Sequence, residues 1–551
     1  MISNKVNITC CHLWLKMSLV FLVILCFKNN EIFNIVFSFH SIEYVIVFLL
    51  VEVAFLIFPK LSINLIVLFI ALLCAKESYL LVSQLMDFKS SNGHSLLSGS
   101  FNNPGPCGGY IAVCISLLVA YHVKYKDQAH NIINKILYWS TSIIAIVAFL
   151  ILPSTQSRSA ILAFGCGMVL LVFGTERIRT KITPFLKRYR LWLILGLIII
   201  GTGAYLIKKP SADGRLFMDK ISMQAIASNG MKGSGIGHFG GSYGNIQYDY
   251  FKKQIDRRGH DDFDWRAIKE HDRLTADCPD HAFNEYLYVG VEYGLYTMLI
   301  FIGIIVSCIV ISCKRDSIWC YGLTAFAIFA FFSYPLHLWQ FQVVLPILLA
   351  AAISDGDTSN SIKKLSEFVL LSITIVLLTF WVWRKIPEIK QNQYAETAWR
   401  KAIRWYEMEY YEYVVEDCDT LLQYKKHDEH YLFAYGQSLN KIGLYEKSDS
   451  ILGIGTEISS DPMFWNVMGN NSLALGKYRE AEERYKHAFY MVPNRLYPLY
   501  LLAKLYHTEG DTVRFLNMAD KVEFFIPKVE SANTERLRLE IRELKEEYKS
   551  E

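Results

Sequence analysis

The sequence contains no Cys-x-x-Cys pair and no Cys/His spacing of the kind that holds structural zinc, although it has twelve cysteines. Several of them, Cys26, Cys74, Cys166 and Cys308, fall inside apolar runs, where a thiol is most simply a small buried apolar group. Basic tracts are missing outside short loops between apolar runs, and the net charge is only +4, so nucleic-acid binding has little support. Lys5 and Lys16 precede the apolar LVFLVILCF, but a small-x-small cleavage site is lacking and further apolar runs follow. That run therefore reads as a first membrane helix and not as a cleaved signal. GIGHFG at 235–240 fits Gly-x-Gly-x-x-Gly, yet no strand precedes it, which excludes a dinucleotide fingerprint. Its glycines suit a tight turn against another helix.

What is present falls into two regimes. Residues 1 to about 385 are mostly apolar runs, and those from about 386 on are charged, Tyr-rich and amphipathic. This shift predicts a polytopic membrane domain at 1–385 and a soluble domain at 386–551. A spanning helix needs about 20 mainly apolar residues. On that basis about eleven spans are expected, near 12–27, 32–58, 62–86, 107–123, 135–152, 159–174, 191–207, 282–313, 316–334, 337–353 and 365–383. The loop ERIRTKITPFLKRYR, with Lys60, Lys124, Lys126, Lys314, Arg315, Lys363 and Lys364, orients the bundle with its N-terminus in the cytoplasm. The 87–106 loop, the turn around Arg158, a large loop at about 208–281 and the C-terminal domain then share the non-cytoplasmic side.

The C-terminal domain is repetitive. In PMFWNVMGNNSLALGKYREAEERYKHAFYMVPN (462–494), Trp465, Gly469, Ala481, Tyr485, Ala488 and Pro493 fall at positions 4, 8, 20, 24, 27 and 32. The unit before it matches at Gly436, Gly443 and Ser448, and the unit after it at Ala503, Gly510, Ala519 and Pro527. This closely resembles a tetratricopeptide repeat, which implies an α-solenoid over about 390–550 that binds a protein partner.

Four polar signals point to one face of the membrane. In GSFNNPGPCGGY (99–110), Asn102 and Asn103 stand at a helix start, as in an ordinary capping turn. In STQSRSA (154–160), Arg158 is either an interface anchor or, with Ser157 and Ser159, an anion site at a helix N-terminus. Arg215 opens an amphipathic stretch that ends in the glycine-rich turn. In DHAFNEYLYVGVEYGLYT (280–297), His281, Asn284 and Glu285 are spaced i, i+3, i+4, which places them on one face of a helix. His281 is then a helix cap or a base at a reacting hydroxyl. The loop before it carries His260, Asp261, Asp262, His271, Asp272 and Asp277 at irregular spacing, which suits a solvated loop better than a cation site.

SGSFNNPGPCGGY, SRSAILAF, the Gly-Arg followed by GSGIGHFG, and FNEYLYVGVEYGLYT, in this order, resemble the O-antigen ligase and polymerase superfamily over about 90–350. That superfamily includes protein O-oligosaccharyltransferases. The resemblance implies transfer of a glycan from an undecaprenyl-pyrophosphate carrier to a lipid, glycan or protein hydroxyl at the periplasmic face of the inner membrane. It assigns Arg158 and Arg215 to the pyrophosphate, His281 or Glu285 to the base, and Asn103, Asn284 and Gly294 to supporting positions. No metal or cofactor is implied. Asn284, Gly294 and Thr297 fit the family spacing, but the family histidine falls on Phe283, with His281 two residues earlier. Cys107 and Cys278 lie beside motifs on the same expected side, as a disulfide or as two free thiols. The alternative to an enzyme is a membrane scaffold or transporter, whose charged span residues would be Glu43, Glu52, Lys76 and Glu77.

Overall fold

The computed structural model describes residues 50–52, 59–87, 97–128, 131–207, 209–256, 265–355 and 390–550, with isolated positions between 376 and 387. These residues are all-α, with no strand among them. By packing the chain divides into two compact units. The first runs to Ile207 and takes in Phe283–Tyr286 and Thr297–Arg384. The second is Lys208–Ala282, Leu287–Tyr296 and Lys385–Glu551. The 208–282 loop, which composition attaches to the membrane domain, therefore packs with the C-terminal helices.

In the first unit, α2 (Pro104–Tyr125) is the central helix. It packs against α1 (Pro59–Asp87), α3 (Ile132–Ile151), α4 (Arg158–Gly174) and α10 (Trp319–Ala330). Its N-terminal PGPCGGY explains how four neighbours fit. A Cβ on Gly108 would stand 2.5 Å from Thr155 Oγ1, and one on Gly109 would stand 2.1 Å from the Phe329 ring. Small residues let helix backbones approach where lipid supplies no hydrophobic drive between helices. Phe329 in turn stacks on Phe341 at 5.4 Å and 10°.

Among the described residues, four helices are long and apolar enough to cross a membrane: Leu61–Met86, Pro104–Tyr125, Ile132–Thr155 and Glu285–Lys314. Arg158–Gly174 with Ile178–Phe185 makes a fifth if that pair, bent by 106°, is one span. The spans expected at 316–334 and 337–353 appear as the shorter apolar helices α10 and α11 (Trp339–Ser354). The turn between them, with a 3-10 segment at Pro335–His337, takes up the intervening chain. Twelve residues reach only about 18 Å, short of a ~30 Å hydrocarbon core. α10 is buried along most of its length, so protein rather than lipid surrounds it. The 191–207 stretch is the end of helix α5 (Glu176–Ile207). The spans expected at 12–27, 32–58 and 365–383 lie outside the described residues or nearly so.

The second unit is built on α6 (Lys209–Asn229), α7 (Phe239–Asp256), α8 (Glu270–Thr275) and a C-terminal array. After a helical run at 390–407 and α12 (Tyr411–Asp419) come three hairpins. They are α13 (Glu429–Lys441) with α14 (Tyr445–Ile458), α15 (Met463–Ala474) with α16 (Tyr478–Met491), and α17 (Tyr497–Glu509) with α18 (Thr512–Glu523). α19 (Ala532–Ser550) closes the array. Each hairpin turns on a left-handed glycine, Gly443, Gly476 and Gly510, so the sequence period is also the structural one. Gly469 faces the Tyr485 ring and Gly436 faces Leu452, a small residue on one helix receiving a large one from its partner.

The loop is sewn onto this array. Gly240 and Gly241 lie against the Ile458 and Glu457 carbonyls, where a Cβ would come within 2.5 and 2.0 Å. Asn494 Nδ2 donates to the carbonyls of Arg273 (3.0 Å) and Ala276 (2.7 Å). The Arg273 guanidinium donates to Ile526 O at 2.7 Å and lies over the Trp265 ring at 4.7 Å. Gln247 Nε2 bridges the carbonyls of Asp277 and Met491.

Candidate functional site

In the first unit, four helix N-termini meet at one end. α2 begins at a cap in which Asn103 Oδ1 accepts the Gly105 N–H at 2.9 Å, with Pro104 as the first helical residue. α4 begins at Ser157, whose Oγ accepts the Ala160 N–H at 3.3 Å and donates to Gly105 O at 3.1 Å, tying the two helix starts together. The turn ahead of α2 is held by α1. Glu77 accepts the Ser100 N–H at 2.9 Å and its O–H at 2.6 Å, and Gln84 Oε1 accepts the Ser98 and Gly99 N–H groups. Gln340, near the start of α11, donates to Ser100 Oγ at 3.2 Å. α9 (Glu285–Lys314) begins beside the 3-10 segment that leads into α11. There Glu285, 1% exposed, accepts the Leu336 N–H at 2.9 Å and stands 3.6 Å from His337 Nδ1.

Helix N-termini present unpaired N–H groups and the positive end of the helix dipole, so this end of the unit favours an anion. Arg158, the first residue of α4, is half-buried there. The bland reading of Asn103 is the one its geometry displays, a helix cap. Glu77, a candidate transport relay in the sequence, is 2% exposed and committed to the Ser100 turn. Glu43 lies outside the described residues.

The segment before α9 departs from the helical expectation. The helix starts at Glu285, so His281 and Asn284 precede it in irregular backbone and do not share a helical face with Glu285. An asparagine directly ahead of the first helical residue is a residue type that starts helices, which gives the local reason. Asn284 is 3% exposed, and Phe283 packs edge-on against Tyr334 at 5.2 Å. His281, half-buried, belongs to the second unit, whose segment ends at Ala282. Sequence reasoning missed His337. Its only signal was a histidine beside Pro335 at the start of an apolar run, and nothing in the chain order ties it to Glu285, more than fifty residues earlier.

In the second unit the glycine-rich turn docks on the first half of α9. Gly294 takes φ 85° and ψ 167° inside that helix and breaks it. The carbonyls of Val291 and Glu292 lie just before the break, where a straight helix would have paired them with Leu295 and Tyr296. They instead accept from Ser234 N at 2.8 Å and Gly235 N at 3.1 Å. Glu292, 2% exposed, accepts the N–H groups of Gly237 (3.0 Å) and Phe239 (3.2 Å) at the start of α7. Arg215 sits half-buried on α6, one turn ahead of Asp219. Burial pushes the Asp219 carboxyl up to about 6, with Arg215 opposing the rise.

Cys107 is buried in the first unit and Cys278 half-buried in the second. Burial pushes Cys278 up to about 11, and Arg495 donates to its sulfur at 2.9 Å. Among the described residues no group of three or more His, Cys, Asp or Glu is placed to hold a metal ion, and residues 257–264 of the acidic loop lie outside them.

Residues 143–302 match the family model described as O-antigen ligase. The matched stretch begins inside α3 and ends inside α9. It takes in Arg158, Arg215, the glycine-rich turn, His281, Glu285 and Gly294, and leaves out Asn103, His337 and the C-terminal hairpins. No curated protein gives a significant match. The O-antigen ligase match and the apolar helices together indicate a multi-pass membrane protein with a ligase-like domain, an enzyme of the general glycosyltransferase kind.

Proposed function

We propose that the chain transfers a glycan from an undecaprenyl-pyrophosphate carrier to an acceptor hydroxyl at the periplasmic face of the bacterial inner membrane. The observation that carries this reading is the meeting of four helix N-termini at one end of the first unit, two of them, those of α4 with Arg158 and of α9, within the stretch that matches the O-antigen ligase model. The acceptor oxygen attacks the anomeric carbon, the bond to the lipid pyrophosphate breaks, and the pyrophosphate leaves as an anion. Arg158 serves that leaving group, and Arg215, on a helix of the second unit, is assigned to it by the family resemblance alone. A guanidinium stays charged and binds phosphate oxygens with two parallel donors, which stabilises charge as it develops. The N-terminal amides of α2 and α4 add to that field.

The acceptor proton needs a base. Glu285 is buried, and one of its oxygens already accepts the Leu336 N–H. It is better placed to orient and stabilise the His337 imidazole at 3.6 Å, which then takes the proton. His281 is the alternative base, and His281→Ala against His337→Ala decides between them. The C-terminal hairpins are read as tetratricopeptide repeats that hold the 265–282 segment and take a protein partner on their remaining surface. The N-terminus is placed in the cytoplasm by the basic loops.

The test uses the purified chain in nanodiscs with an undecaprenyl-pyrophosphate glycan and an acceptor. Carrier release should depend on the acceptor and should fall on the order of 10²-fold or more in Arg158→Ala. Undiminished transfer by the Arg158→Ala, Arg215→Ala double variant would sink the site. A deletion strain separates the acceptors: lost long-chain lipopolysaccharide marks ligation, shortened chains mark polymerisation, and lost glycoprotein staining marks protein transfer.

A further inference from the structure

We propose that the cleft where α7 meets α15 and α16 is a binding track for a neutral oligosaccharide. Its core is a three-ring stack. The His487 imidazole lies between Trp465, at 3.7 Å and 26°, and Tyr248, at 4.0 Å and 14°. Tyr490 meets Tyr248 edge-on at 5.8 Å. The cleft over this stack has a volume of about 580 Å³, within the ~300–1,000 Å³ of small-molecule sites. A second hollow of about 470 Å³, over the start of α16, shares Glu480 and Glu483 with it. The two together make an elongated track rather than a single pocket, which fits several linked units better than one small ligand.

The lining chooses the chemistry. Aromatic faces carry negative charge density and pack well against the C–H faces of sugar rings. The carboxylates and cations around them offer acceptors and donors to hydroxyls. Burial holds His487 down to about 4, so its ring is neutral, and its Nε2 has no partner among the described residues. A polyanion is disfavoured because the nearby cations are already paired. Arg484 meets Asp449 and Glu480 at 2.7 Å each, Arg479 meets Glu483 at 3.3 Å, and Lys486 meets Glu482 at 2.5 Å. A peptide held by strand addition or in an apolar helix groove is disfavoured in this cleft, because its surface is helical and charge-lined. Placing the transferred glycan or its acceptor in the track rests on the transferase reading above; the saccharide chemistry of the cleft does not.

The experiment exposes the labelled full-length chain, in detergent micelles, to an array of neutral and amino-sugar oligosaccharides and to a random peptide array. The wild type should bind oligosaccharides, with longer ligands held more tightly. Trp465→Ala should weaken binding about tenfold. Because that variant can disturb packing, Lys252→Ala and Glu483→Ala, which remove two exposed side chains of the cleft lining, should each weaken binding severalfold while leaving the melting temperature unchanged. Arg158→Ala should cut transfer on the order of 10²-fold or more and leave array binding intact, which separates this proposal from the catalytic one. Absence of binding to every oligosaccharide, equal binding by all three cleft variants, or binding to peptides in place of sugars would each overturn it.

Discussion

Replacing Gly294 by alanine tests the account of α9 most directly. Two effects add at this position. The φ of 85° with ψ of 167° lies in a region essentially reserved for glycine, where an L-residue is destabilised by about 1–3 kcal/mol. The new Cβ would also stand 2.0 Å from Met231 O and 2.9 Å from Gly233 N. Those are backbone atoms of the docked turn, so no side chain can swing aside. Overpacking of this kind costs a further ~1–3 kcal/mol, and relief would come only by undocking the turn and unpairing the Val291 and Glu292 carbonyls. The sum is roughly 2–6 kcal/mol, far above the ~1 kcal/mol that alanine gains over glycine in a regular helix. Gly303, on the same helix, is the internal control, because nothing lies within 4 Å of its Cβ position and its backbone is helical. Thermal unfolding of the purified chain in one detergent should show Gly294→Ala melting well below the wild type and Gly303→Ala at or slightly above it. Exchange of the Ser234 and Gly235 amides should also become faster in Gly294→Ala than in the wild type. Equal melting of the two alanine variants would refute both the break in α9 and the docking built on it.

Three other outcomes follow from the same geometry. Gly109→Ala drives a Cβ into the Phe329 ring, which is pinned by its stack on Phe341, so detergent stability should fall by about 1–3 kcal/mol, read as a lower melting temperature. Glu292→Ala leaves the Gly237 and Phe239 amides without their buried acceptor and should destabilise the second unit by about 2 kcal/mol, detectable as faster amide exchange at the start of α7. His487 is held near 4 in the folded chain against 6.5 when unfolded, so between those values the unfolded state binds more protons. Stability is therefore full above pH 6.5 and falls as pH drops toward 4. By pH 5 the loss is at most about 2 kcal/mol at 1.36 kcal/mol per pH unit, and His487→Phe should flatten that part of a melting-temperature profile.

Periodic and chemical signals in the sequence were legible where they are local. The hairpin glycines recur in register with the packing of Gly469 on Tyr485, so the helix pairs could be read from spacing alone. Asn103 ahead of α2 was legible as cap chemistry for the same reason, whereas Ser157, read with Arg158 as part of an anion site, proves to cap α4. Pairings between distant segments were not. Glu285 and His337 meet only because the 3-10 segment before α11 folds back onto the start of α9. The helical face drawn through His281, Asn284 and Glu285 failed because i, i+3, i+4 spacing says nothing about where a helix begins. Hydropathy also overstated span length at 316–334 and 337–353. Burial inside protein and burial inside lipid select the same residues, and only the observed helix ends separate them.

The break at Gly294 also explains why residues 280–297 are too polar for the middle of a bilayer and too apolar for a free loop. Leu287–Tyr296 packs with the second unit, and from Thr297 on the same helix packs with the first. A straight helix could not divide its loyalty in this way, because its carbonyls would be satisfied internally and would offer the loop nothing to bind. Breaking the ladder at one glycine frees two carbonyls, and the glycine-rich turn supplies the two amides that take them up. Glu292 then caps α7, and His238, the residue before α7, meets the Glu457 carbonyl of the C-terminal array at 3.0 Å. Every link in that series is a hydrogen bond with a backbone amide or carbonyl at one end or both. A substitution at Gly294 should therefore be felt as far away as α14, and Gly303→Ala, nine residues along the same helix, should not.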